Sequence, residues 1–197
     1  MNFLAHIYLS GESDEIKIGN FIGDFVKASD MERFNEGINR GIKLHWAIDE
    51  FTDHHAVVQN SKDRLRPKYG HYAGVIIDIF YDHFLARNWN DFHSTPLRKF
   101  VDETYNMFNQ NLDILPENVQ YVLPYMIKND WLYNYQYFDG IEKVMQGMAN
   151  RSNFNSKMEQ SIDELKKYHK EFEKEFQEFF PELIDFSKTF LEMKMNH

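Results

Sequence analysis

The sequence predicts an all-α protein: a single-domain helical bundle of about seven to nine helices spanning residues 1–197. Apolar side chains recur at helical spacing in nearly every segment. No pair of alternating apolar–polar runs flanks a hairpin dipeptide, as a β-sheet would require. No Gly/Ser-rich linker or internal repeat divides the chain, and 197 residues suit one core.

The elements follow in order. A short N-terminal helix carries His6. Ser13 is placed to cap a helix that starts at Asp14-Glu15 and carries Ile16, Phe21, Ile22 and Phe25. The tight join makes these two helices antiparallel, with Gly19 and Gly23 allowing close backbone approach. A long helix is expected from about Glu36 to about Asn60, with Ile38, Ile42, His45, Ile48 and Thr52 near helical spacing. The segment from His71 to Trp89 is apolar around most of its circumference, which predicts a helix enclosed by others. Thr95-Pro96 reads as N-cap and first residue of a helix ending near Leu112. Pro116 opens another, which Pro124 kinks or ends. A short helix runs from Asp139-Gly140 to about Asn150. Residues 155–193 form one or two helices broken around Pro181, with Phe172, Phe176, Phe179 and Phe180 on the core side. The part from 155 to 197 therefore reads as largely structural.

Composition narrows the chemistry. Without cysteine there is no thiol nucleophile, thiolate zinc site or iron–sulfur cluster. The net charge of −9 argues against broad nucleic-acid or anionic-membrane binding. The N-terminus lacks the basic region of a signal peptide, and no apolar stretch approaches the roughly 20 residues of a membrane helix, so a cytoplasmic protein is expected. Residues 101–197 carry −7 of the charge, whereas seven of the nine histidines fall in the first hundred residues. Imidazole chemistry is therefore expected in the N-terminal part, within about residues 1–90.

At about 100° per residue, His71, Asp78 and Asp82 lie within about 40° of one another on their apolar helix. His45 and Asp49 are one turn apart, and Asp53 follows a turn later. His6 and Asp24 are polar residues set among apolar ones. A buried carboxylate costs several kcal/mol unless a cation or strong hydrogen bonds compensate. Any one of these histidines alone reads more readily as a core or surface residue. Together, His6, Asp24, His45, Asp49 and Asp78 on four apolar helices point to a divalent metal, and mixed His/Asp donors suit Mn, Fe, Zn or Mg. Asp82-His83 either joins this cluster, caps a helix or pairs with an arginine.

Several segments, taken as a set, resemble a known family. They are Met1-Asn2-Phe3-Leu4-Ala5-His6, Gly19-Asn20 through Gly23-Asp24-Phe25-Val26, and Gly41-Ile42 with His45, Ile48-Asp49 and Thr52-Asp53. Asp78 with Tyr81-Asp82-His83-Phe84-Leu85, and Gly147-Met148-Ala149 with Arg151, complete the set. In order and spacing they resemble the acyl carrier protein phosphodiesterases, over essentially the whole chain. The resemblance implies an HD-domain-like helical fold and a divalent-cation-dependent activity, typically with manganese. It implies hydrolysis of the phosphodiester joining 4′-phosphopantetheine to a serine of holo acyl carrier protein. Metal and active-site character would fall on His6, Asp24, His45, Asp49, Asp78 and Asp82-His83. The inverted order Asp82-His83 departs from the HD pattern, so HD ligand roles do not transfer one to one, and Trp46-Ala47 stands where the family has basic residues, which implies a weaker or different substrate contact there.

The chemistry expected is metal-assisted hydrolysis, with Asp24, Asp53 and His83 as catalytic residues. His83 or His45 protonates the leaving serine oxygen, and Asp53 orients a ligand histidine. Arg151 or Arg66 clamps the phosphate. An acidic carrier needs a local basic surface, for which Lys62, Arg64, Arg66 and Lys68 are the candidates; the alternative is a solvated interhelical loop. Two other readings stay open: an HD-like metal phosphohydrolase acting on a nucleotide or small phosphodiester, and a non-enzymatic helical binding protein.

Overall fold

The computed structural model describes residues 1–152 and 156–193; Asn155, the expected start of the last helical segment, lies outside them. The described residues contain twelve α-helices and no strand. They are α1 (Phe3–Tyr8), α2 (Asp14–Ile22), α3 (Glu36–His54), α4 (Ala56–Tyr69), α5 (Ala73–Arg87) and α6 (Trp89–Phe92), then α7 (Leu97–Gln110), α8 (Glu117–Lys128), α9 (Trp131–Asn134), α10 (Phe138–Arg151), α11 (Ser161–Lys167) and α12 (His169–Glu192). The count exceeds the expected seven to nine for two reasons. The long helix expected from Glu36 to Asn60 is two helices, and the four-residue α6 and α9 carry too few residues to show a period. No described helix is long and apolar enough to cross a membrane.

Ser13 caps α2 as expected, its side chain accepting from the Ile16 N–H at 3.5 Å. α2 then packs most extensively against α3, and glycines set that spacing. A Cβ at Gly19 would stand 2.0 Å from the Ile38 carbonyl oxygen, and one at Gly41 2.3 Å from that of Ile16. The close partner of Gly19 is thus α3, not α1 as expected. Gly23 lies in the 3₁₀ turn Gly23–Phe25, where a Cβ would meet the His45 ring at 2.3 Å.

His55 ends α3 with extended backbone (φ −73°, ψ 126°), and this bend sends α4 along α12. Arg64 fastens the two with paired 2.8 Å hydrogen bonds to Glu175, its guanidinium lying 4.9 Å over the Phe172 ring. α5 is enclosed by α1, α4, α10 and α12, as its all-round apolar surface predicts. The aromatic tail is core: Phe172, Phe176, Phe179 and Phe180 of α12 are fully buried, the first three packing on Phe80 and Tyr81 of α5 and Phe180 on Tyr8 and Phe92.

Neither Pro124 nor Pro181 ends its helix. Both lie on the exposed side, where water can satisfy the carbonyl that a proline leaves unpaired. Buried side chains on either side of each proline (Leu123 and Met126; Phe180 and Leu183) hold the helix in register.

Gly19→Ala or Gly41→Ala is expected to lower stability by about 1–3 kcal/mol, because the facing element is backbone and cannot yield. Gly147→Ala, whose Cβ meets open space within α10, is expected to raise it by about 0.5–1 kcal/mol. Urea unfolding midpoints check both signs.

Candidate metal centre

Five of the sequence-predicted residues converge where α1, α2, α3 and α5 meet. α1 brings His6, the turn after α2 brings Asp24, α3 brings His45 and Asp49 one turn apart, and α5 brings Asp78. The imidazoles of His6 and His45 stack with centroids 3.9 Å apart. His6 Nε2 lies 3.3 Å from Asp49 Oδ1; His45 Nε2 lies 3.2 Å from both Asp49 Oδ2 and Asp24 Oδ1. Asp78 joins through the Met1 amino group, which is 3.1 Å from Asp78 Oδ1 and 3.7 Å from Asp49 Oδ1. The two imidazoles are buried, whereas the Asp49 and Asp24 side chains are 39% and 65% exposed. The nitrogens thus form a closed floor and the carboxylates an open rim.

Asn20 of α2 sets the imidazole tautomers. Its side-chain oxygen accepts from His6 Nδ1 at 2.8 Å, and its backbone oxygen accepts from His45 Nδ1 at 2.7 Å. Its amide nitrogen donates to the His6 carbonyl (2.7 Å) and to Ser10 Oγ (2.9 Å), which fixes the amide's orientation. With Nδ1 carrying a proton in both rings, both Nε2 atoms are left facing carboxylate oxygens. Neither buried Nε2 has a well-aligned hydrogen-bond partner. An imidazole lone pair facing a carboxylate requires a cation between them, either a proton or a metal ion. His6, His45 and Asp49 each offer an atom within 4.8 Å of the others, a donor set that fits a divalent ion.

Burial and the charge of His45 push the His6 imidazole down to about 4. Burial also works against the charged form of His45, but Asp24 and Asp49 outweigh it and hold that imidazole up at about 9. Asp49 is likewise held well below the ordinary carboxylate range, as the neighbouring His45 and His6 rings and the Met1 amino group overcome its burial.

The remaining sequence-predicted residues have other partners. Asp82, one turn after Asp78, accepts from the backbone N–H groups of Asn2, Leu4 and Ala5 at 3.3, 2.8 and 3.3 Å. It caps the N-terminus of α1, the capping alternative, and makes no ion pair with either histidine among the described residues. His83 faces the opposite side of α5, with Nδ1 2.7 Å from the Tyr135 carbonyl and its ring stacked on Phe138. The expectation that it protonates a leaving group is corrected by this placement: adjacent helical residues diverge by about 100°. Asp53 bonds Lys62 Nζ at 2.6 Å and orients no ligand histidine.

The basic strip is neither the open patch nor the loop that the two alternatives suggested. It lies on α4, and every member is paired: Lys62 with Asp53, Arg64 with Glu175, Arg66 with Asp63 and Gln59, and Lys68 with Glu164 at 3.0 Å. Arg151, by contrast, lines a cavity together with Asp24. Sequence reasoning gave Asn20 no role of its own. The signal was there: an amide between Gly19 and Phe21 on a helix that buries both neighbours must find hydrogen bonds inside the protein.

In the metal-free protein, NMR is expected to show the His45 ring titrating near pH 9 and the His6 ring near pH 4. The His45 value lies above that of an unfolded chain. Its stabilisation is therefore complete below about pH 6.5 and lost as pH rises through about 9. A divalent ion should displace the His45 proton. A His45 resonance titrating near 6.5 in the metal-free protein would contradict this geometry.

A family model described as acyl carrier protein phosphodiesterase matches residues 1–183. The chain is similar to the acyl carrier protein phosphodiesterase of Pectobacterium atrosepticum, at 28% identity over 96% of this chain and 98% of that protein. It is similar to that of Yersinia enterocolitica at 29% over 93% and 96%, and to that of Escherichia coli at 30% over 94% and 96%. No solved structure matches it. With nearly the whole of both sequences aligned in each case, the chain belongs to the acyl carrier protein phosphodiesterase family.

Proposed function

We propose that this protein is a divalent-metal-dependent hydrolase of holo acyl carrier protein. It cleaves the phosphodiester between 4′-phosphopantetheine and the carrier serine, giving apo carrier and free 4′-phosphopantetheine. The observation that carries the metal requirement is the pair of buried, tautomer-fixed Nε2 atoms turned toward Asp49. The names of the relatives support the substrate.

In this reading His6, His45 and Asp49 hold the ion, with Asp24 and Asp78 flanking it on the solvent side. Manganese is the ion we assign; Mg, Fe and Zn suit the same donors. Bound there, the ion supplies an activated water and neutralises charge on the phosphoryl oxygens. Asn20 keeps both ring nitrogens aimed without touching substrate, and the buried floor keeps bulk water to the carboxylate side. Arg151, on the cavity that shares Asp24, is the cation we assign to the phosphate.

Intact-mass analysis of holo carrier incubated with the protein and Mn²⁺, with and without chelator, tests the reading. The carrier is expected to lose its prosthetic group only when metal is present, and Asp49→Asn should reduce the loss to background. Asn20→Leu is expected to weaken metal binding by about 10–100-fold. Hydrolysis of a nucleotide panel with holo carrier untouched would favour a small-substrate phosphohydrolase. Absence of metal binding together with absence of hydrolysis would overturn both enzymatic readings in favour of a binding protein.

A further inference from the structure

A cavity of about 420 Å³ opens directly beside the cluster and takes Asp24 as part of its wall. The volume is that of a small-molecule site. Away from Asp24 its lining is largely aromatic and aliphatic, with Phe3, Tyr72, Trp131, Val144 and Met148 among its residues. Hydroxyl and amide groups punctuate the walls: Asn2 Nδ2 donates to Tyr135 Oη at 3.2 Å, and Tyr72 Oη lies 2.8 Å from Ser152 Oγ. Arg151 stands on this lining, and its guanidinium makes no ion pair or hydrogen bond among the described residues. Every basic side chain of the α4 strip, by contrast, is already paired within the protein.

The substrate of the proposed reaction has two unlike halves on either side of its phosphorus. One is a folded acidic protein. The other is a thin organic arm with a dimethyl-substituted carbon, two amides and a terminal thiol. An apolar cleft with scattered hydrogen-bonding groups suits the arm and not an acidic protein surface, which needs exposed cations. The uncommitted Arg151 complements the phosphate from which the arm extends. We propose that this cavity binds the pantetheine arm, with Arg151 on its phosphate, so that the arm lies between α1, α9 and α10 while the phosphorus sits at the Asp24 side of the cluster.

This inference rests on the phosphodiesterase reading, yet it is measurable apart from turnover. Calorimetric titration of the metal-free full chain with pantetheine and with 4′-phosphopantetheine is the direct test, with AMP and inorganic phosphate as comparison ligands. Both pantetheine compounds are expected to bind saturably. Val144→Phe, which fills the cleft, should weaken both by about tenfold or more. Arg151→Ala should weaken 4′-phosphopantetheine by a similar factor and leave pantetheine unchanged. As a measurement that does not depend on the variants folding, binding should shift the tryptophan emission of the unmodified chain, and Trp131→Phe should remove that shift while Trp46 and Trp89 remain. Failure of pantetheine to bind, equal affinity in Val144→Phe, or AMP binding more tightly than 4′-phosphopantetheine would overturn the assignment. Release of the prosthetic group from holo carrier by the unmodified protein, scored in parallel, reports on the phosphodiesterase reading separately. Turnover with no cleft binding sinks only the inference, whereas cleft binding with no turnover sinks only the reading.

Discussion

Asn20 is the point on which the candidate centre depends. A single buried amide receives the Nδ1 protons of two histidines from two different helices, one on its side chain and one on its backbone. Its remaining donors are taken by His6 and Ser10, so a flip of the amide would set like groups against each other at several contacts. This leaves two Nε2 atoms side by side under Asp49, an arrangement that only a cation completes. In the metal-free protein that cation is the proton on His45, held by Asp24 and Asp49 against the effect of burial. A divalent ion held by the same donors, as proposed, would compete with this proton for one position.

The bundle is built to deliver that geometry. α2 reaches α3 closely enough for the Asn20 carbonyl to touch His45 because Gly19 and Gly41 present no side chains between them. α1 is held at the right height by Asp82, whose carboxylate takes up three of the N–H groups that a helix start leaves unsatisfied. Burial pushes the Asp82 carboxyl up to about 7, against the pull of the Met1 amino group and those donors. Two aspartates one turn apart on α5 thus have different duties: Asp78 faces the cluster and Asp82 positions the helix that carries His6.

Charge is arranged with similar economy. Of the α4 cations, which look like a docking strip in one dimension, Lys62, Arg64 and Lys68 fasten α4 to α3, α12 and α11, most firmly where Arg64 grips Glu175 over Phe172, while Arg66 pairs within α4. What is left beside the cluster is Arg151 on a mostly apolar cleft. Among the described residues, the carboxylates at the cluster rim therefore face a cleft carrying the unpaired Arg151 rather than a broad basic surface.

Much of this was legible in one dimension. Helical spacing predicts the long helices other than α4, which the expected Glu36–Asn60 helix only enters, and the all-round apolar character of residues 71–89 predicts the enclosed α5. Polar residues on apolar faces also pick out His6, Asp24, His45, Asp49 and Asp78, because a buried charge needs a reason that periodicity exposes. Asp82 and His83 carry the same signal for other reasons, a helix cap and a backbone carbonyl, and spacing cannot distinguish those partners from a metal. The sequence by itself determined the helical class, the residues that must find polar partners inside the core, and the family. Only the tertiary structure decided which partners they found. Long-range neighbours such as His6 and Asn20, Asp82 and Leu4, or Arg64 and Glu175 lie 14, 78 and 111 residues apart. A helical period reports which face a side chain occupies, but not what the folded chain brings against that face.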